Sequence, residues 1–144
     1  MTEVGLIAIT MRVGLWNGID GSMDNKANNA RWEYWNGGGE MGDPADPEVG
    51  PVSRCAAAIR AEGWRQVVNA WRRPADEQVT LSLTGAQWEF ILAEARDSLP
   101  VYEELARSAS GQSRSEMHDS ADLCRETISV VGGELRAGPA ANTP

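Results

Sequence analysis

From Thr84 onward, apolar residues recur every three or four positions, and this recurrence outlines two helices. Thr84, with Gln87 three residues later, has the form of a capping box, and Trp88, Leu92, Ala95, Leu99, Tyr102 and Ala106 then fall on one helical face. Pro100 lies inside this stripe without changing its phase, so the spacing predicts a helix over 85–107 that bends at the proline rather than ending there. Past the polar turn SASGQ, Ser113 and Glu116 offer a second capping box, and Met117, Ala121, Cys124, Ile128, Val131 and Leu135 continue as a second stripe. Two such stripes joined by a short turn predict an antiparallel helical hairpin within 84–135. Its helices, 85–107 and 114–131, would pack through Leu92, Leu99, Cys124 and Ile128.

The first half of the chain follows a different period. VGLIAITMRVGL is short and β-branched, which predicts a strand near 4–15. QVTLSLT sets Val79, Leu81 and Leu83 against Thr80 and Ser82, a strand near 79–83. In RWEYW, Trp32 and Tyr34 alternate with Glu33 and Trp35, the pattern of a short strand at 31–35. The Asn-, Gly- and Asp-rich run 17–30 between the strands near 4–15 and 31–35 reads as a loop, and the Gly- and Pro-rich run 36–51 carries no regular signal. Ser53 suits an N-cap for one short helix, RCAAAIRAEG, with Gly63 placed to end it. WRQVVNAWRR, near 64–72, fits a fourth strand; carried on as helix, it would align Trp64, Val67, Val68 and Trp71 in a stripe. The whole predicts an α+β domain over 1–138, with a small, mainly antiparallel sheet, one short helix and the C-terminal hairpin, followed by a flexible tail at 139–144.

Composition narrows the function. The 144 residues include six Trp and one Phe, and the formal charge is −8. Residues 1–52 carry eight acids and three bases, whereas 53–73 carry Arg54, Arg60, Arg65, Arg72 and Arg73 against Glu62 alone. Residues 74–108 are again acidic, with seven acids and two bases. A net acidic chain lacks the basic footprint of direct nucleic-acid binding, although its acidic segments raise the idea of a nucleic-acid mimic. Glu3 and Arg12 interrupt the apolar N-terminal stretch, which therefore does not resemble a signal peptide, and no apolar run approaches a membrane span. Cys55 and Cys124 lack metal-site spacing and read as small buried hydrophobes of a reducing compartment, while the sequence leaves their redox state open. The expected location is cytoplasmic.

Catalytic and metal chemistry find little to stand on. His118 is the sole histidine, with Asp122 one helical turn away as the group that would orient it; Cys124, six residues on, faces elsewhere on the same helix, and Cys55 is distant in sequence. Asp20, Ser22 and Asp24 imitate the start of a calcium loop, but Asn25 and Arg31 stand where the glycine and the bidentate glutamate are needed. The acidic pairs Glu103–Glu104, Asp43–Asp46 and Asp76–Glu77 lie in loops or on wet helix faces, and the glycines at 37–39 match no phosphate loop. No enzyme activity, metal or cofactor is expected.

VTLSLTGAQWEFIL, with the Arg-rich composition, resembles short proteins encoded by actinobacteria and their phages, without matching a named family or contributing a site. Trp16, Trp32, Tyr34 and Trp35 cluster where aliphatic residues are fewest, and a long Gly- and Pro-rich loop follows them. Tryptophan and tyrosine combine large contact area with a polar handle and few rotatable bonds, which suits recognition. The sequence therefore points to a non-enzymatic binding protein, an inhibitor or modulator of a host protein or complex of the kind carried by phages and mobile elements. Its contact residues would be Trp16, Trp32, Tyr34, Trp35, Asn36, Arg65, Arg72 and Arg73. The alternative is a small-ligand or carbohydrate module with tryptophan platforms. Homo-oligomerisation through the hairpin is a further expectation.

Overall fold

The computed structural model describes residues 5–33 and 49–141. Strand β1 (Leu6–Arg12) leads directly into helix α1 (Val13–Glu33). Helix α2 (Val49–Gln66) is followed by a 3-10 turn (Ala70–Arg72) and strand β2 (Gln78–Thr84), and helices α3 (Gly85–Ser108) and α4 (Gly111–Ala141) complete the order. The fold is α+β with a C-terminal helical hairpin, as the periodicity predicts.

β1 and β2 form one antiparallel pair, in register from Leu6↔Thr84 to Arg12↔Gln78. Alternation sorts the two faces: Ile9, Met11, Leu81 and Leu83 turn into the core, whereas Ala8, Thr10, Thr80 and Thr84 are exposed. Against the inner face lie Trp16, Ile59, Trp88, Ile91 and Val131, all essentially inaccessible. The indole N–H of Trp88 donates to the carbonyl of Ile7 at 2.8 Å, tying α3 to the sheet. Thr84 caps α3 as expected: its hydroxyl accepts from Gln87 N–H while the Gln87 side chain accepts from Thr84 N–H. α3 continues through Pro100. Within the hairpin, Leu92 and Cys124 are buried, while Leu99 and Ile128 are half-buried.

Several expectations are corrected. The first strand stops at Arg12 rather than running to residue 15: Val13 and Gly14 donate to Glu77 and Ala75, and the chain turns into α1. α1 then occupies the expected loop 17–30 and the start of the expected strand 31–35, since Arg31, Trp32 and Glu33 are its last residues. Its stripe is sparse but helical, with Trp16, Ile19, Met23 and Ala27 facing the core, while the intervening Asn, Gly and Asp residues take the other side. Tyr34, Trp35 and Asn36 lie outside the described residues.

The helix opened near Ser53 neither begins there nor stops at Gly63; it spans 18 residues. Gly63 is interior because the Trp16 ring rests where its side chain would be. The expected strand at 64–72 is likewise replaced. α2 ends at Gln66, Asn69 adopts a left-handed conformation (φ 56°, ψ 39°), and the 3-10 turn follows. Asparagine tolerates that region better than its neighbours would, which accounts for the reversal at this position. Finally, α4 begins at Gly111, ahead of the expected Ser113 cap, and continues through Gly132 and Gly133 to Ala141.

Candidate functional site

Where α2 gives way to the 3-10 turn, the chain bends around the middle of α1 and leaves a recess of about 680 Å³. Trp64, Val67, Val68, Ala70 and Trp71 form its apolar wall, with Trp16 beneath. Val67 and Trp16 are buried, whereas Trp64, Val68 and Trp71 are 60%, 57% and 70% exposed. A tryptophan that buries little of its surface forgoes one of the larger apolar gains available to a side chain, so two of them beside an exposed valine mark this face as unusual.

The far side of the recess is polar and ion-paired. Arg60 donates to both Asp20 (3.1 Å) and Asp24 (2.9 Å), and its guanidinium lies 4.8 Å from the ring centre of Trp64. The Asn17 amide donates to the Ala70 carbonyl at 3.3 Å, holding α1 to the turn. Arg72 stacks on Trp71 at 4.5 Å. These contacts place both indoles beside guanidinium groups, an arrangement that limits their side-chain freedom before any partner arrives.

The expected contact residues divide. Arg65 and Arg72 are exposed, and Arg73 is half-buried near the same turn. Arg65 pairs with Glu62 at 2.7 Å, and together with Gln66 it holds the Glu62 carboxyl below its ordinary range. Arg73 donates to the Val68 carbonyl and to Glu77. Trp16, by contrast, is 1% exposed and belongs to the core; it can support a contact surface from below but offers none itself. Trp32 lies in the last turn of α1, and Tyr34, Trp35 and Asn36 are outside the described residues. Missing from the expected set were Trp64, Val68 and Trp71. The signal for them was the helical reading of WRQVVNAWRR, which aligns Trp64, Val67, Val68 and Trp71: these same four residues line the recess, although the helix itself ends midway.

A second cleft, of about 350 Å³, separates α1 from the hairpin. Glu94 there accepts from Ser98 at 2.8 Å and pairs with Lys26 at 3.1 Å. Cys124 on its wall is buried, and desolvation raises its thiol pKa, with Glu94 adding to the shift. Burial likewise raises Cys55, and both cysteines are free. Thiols held protonated in this way are poor nucleophiles. His118 is exposed, and Asp122, its expected orienting partner, instead accepts from Arg125 at 2.7 Å. Among the described residues no group of His, Cys, Asp and Glu side chains is arranged to hold a metal ion, and no helix is long and apolar enough to cross a membrane. The chain matches no family model, no curated protein and no solved structure.

Proposed function

We propose that this chain is a non-enzymatic binding protein whose recess between α1 and the end of α2 receives an apolar side chain of a partner protein. The exposure of Trp64 and Trp71 on one concave surface carries this reading. Interface energy concentrates in tryptophan and arginine residues that become fully desolvated on docking, and the recess supplies both residue types in restrained positions. The protonated thiols and the engagement of Asp122 by Arg125 support a function without covalent or acid–base catalysis. A phage- or mobile-element-type inhibitor or modulator of a host protein is the form of this function that we favour.

The experiment compares wild-type protein with Trp71→Ala and Trp64→Ala. Each variant should unfold within about 0.5 kcal/mol of wild type, as exposed positions do. A partner recovered from native-host extract and then purified should bind the variants at least about 2 kcal/mol more weakly. Undiminished binding by both variants refutes the assignment of this recess. The second reading, a carbohydrate module, draws on the Asn17, Asp20 and Asn69 side chains beside the two indoles. It requires that a glycan quench or shift wild-type tryptophan emission and that Trp71→Ala abolish the response.

A further inference from the structure

Two glycines set how α1 meets the hairpin. At Gly18 a Cβ would stand 3.0 Å from Leu123 Cδ1, so α1 and α4 are in close contact there. At Gly21, three residues on, nothing lies within 4 Å of the corresponding position, and the helices part around the cleft of about 350 Å³. That volume is in the range of small-molecule sites. Ile19, Met23, Ile91, Ala95 and Leu123 give the cleft its apolar lining.

Its polar lining is rich in acceptors. Glu94, Ser98 and Tyr102 follow one another at four-residue spacing and so share one face of α3. One Glu94 oxygen accepts from Ser98, and the other holds the Lys26 ammonium. Burial raises the Tyr102 pKa, with Cys124 and Glu94 adding to the shift, which keeps the phenol protonated. Among the described residues, nothing bonds the hydroxyls of Ser22, Tyr102 and Ser120, all of which line the cleft and reach open space. The two charged groups in the lining, Asp24 and Glu94, are both acids, and Arg60 and Lys26 reach them from outside it.

We propose that this cleft binds a small primary amine, with its ammonium on Glu94 and its hydrocarbon part against Ile19, Met23 and Leu123. The chain itself displays the chemistry: in Lys26 a primary ammonium already sits on this carboxylate, at 3.1 Å. The Glu94 side chain is 16% exposed and that of Lys26 41%, so the carboxylate belongs to the cleft while the lysine reaches it from solvent. Ion pairs with so exposed a partner are weak, and Lys26 yields to a second ammonium. The incoming amine also buries apolar surface in the cleft, and the free hydroxyls supply further acceptors around it. An anion would instead meet two carboxylates, and a neutral ligand would leave the Glu94 charge to Lys26.

Phenethylamine is the probe, and for a ligand of about nine heavy atoms a Kd of about 1 mM is expected. Titrating the full chain to about 10 mM should give saturable amide NMR shifts at Gly21, Ser22, Ser98 and Tyr102. Phenylethanol, of the same shape without the charge, should bind at least about tenfold more weakly. Glu94→Gln keeps the shape of the side chain and an oxygen for Ser98, and it should weaken phenethylamine at least about tenfold. Lys26→Met removes the internal competitor and should tighten binding about threefold. If circular dichroism shows Glu94→Gln unfolded, the alcohol and Lys26→Met decide. No saturable shift by about 10 mM, an alcohol bound as tightly as the amine, undiminished binding by folded Glu94→Gln, or weaker binding by Lys26→Met overturns the proposal.

Discussion

Replacing Gly63 by Ala should destabilise the protein, although glycine inside a helix ordinarily costs about 1 kcal/mol relative to alanine. Gly63 lies within α2, three residues before its end, and is buried against Trp16. An added Cβ would press into Cζ2 of that ring and stand 2.7 Å from Cε2 and 3.0 Å from Cη2. Neither partner can yield easily. The Cβ is fixed by the helix backbone, and the indole is 1% exposed within a close-packed core. Overpacking of this kind costs about 1–3 kcal/mol, and contact with three atoms of one immobile ring belongs at or above the top of that range. Subtracting the helix-propensity gain leaves a net loss of about 2 kcal/mol. Gly133→Ala in α4 is the matched control, because nothing lies within 4 Å of its added methyl and propensity alone should stabilise it. Urea unfolding measures both as shifts in midpoint at constant slope. If Gly63→Ala is as stabilising as Gly133→Ala, the close approach of Trp16 to α2 is wrong.

Gln66→Leu should lower stability by about 1–3 kcal/mol in the same urea assay, because it leaves the main-chain groups of Ser82 without their partner; an unchanged midpoint would show the clamp to be energetically idle. The Arg12 hydrogen bond is the main reason the Glu126 pKa lies below its ordinary value, and partial burial opposes that shift. A depressed carboxylate pKa contributes stability that is present above the unfolded value of about 4.3 and is lost as pH falls through the folded value. With both side chains about one-third exposed, the share is at most about 1 kcal/mol, and Glu126→Gln should flatten that part of the acid limb of the stability–pH curve.

The hairpin and β2 were legible because their signals are local: the Thr84 capping box, the phase of the stripe across Pro100, and strict alternation in QVTLSLT. α1 was not, because tertiary contacts overcome its poor local preference. NGIDGSMDNKANNA is rich in helix-disfavouring residues, and what holds it is burial of Ile19, Met23 and Ala27, the Ser53 hydroxyl on the Ala27 carbonyl, and Arg60 bridging Asp20 and Asp24. Ser53 and Arg60 both belong to α2, and α3 and α4 also pack on α1, so no window on α1 alone contains these partners. The tryptophans show the same division. Trp16 and Trp64 are chemically identical, yet one is core and the other surface, because α2 crosses α1 with Gly63 against Trp16 and directs the next residue outward.

Charge shows how a segregated sequence produces a mixed surface. The basic run 53–73 lies between two acidic segments, which suggests opposed electrostatic faces and, in the acidic ones, an imitation of phosphate. Among the described residues, folding pairs several of these charges. Arg60 of that run meets Asp20 and Asp24 of α1, Arg73 meets Glu77 just before β2, and Arg65 is neutralised within α2 by Glu62. Lys26 goes to Glu94 and Arg125 to Glu103, so acids of α3 are also engaged. A phosphate mimic needs a row of carboxylates left for the partner's cations, and a nucleic-acid groove needs guanidinium groups left for phosphates. Around the recess the two signs largely cancel, so contact there must draw on apolar burial by Trp64, Val68 and Trp71. Partner affinity at this site should therefore change little with ionic strength, whereas a mimic would lose it steeply.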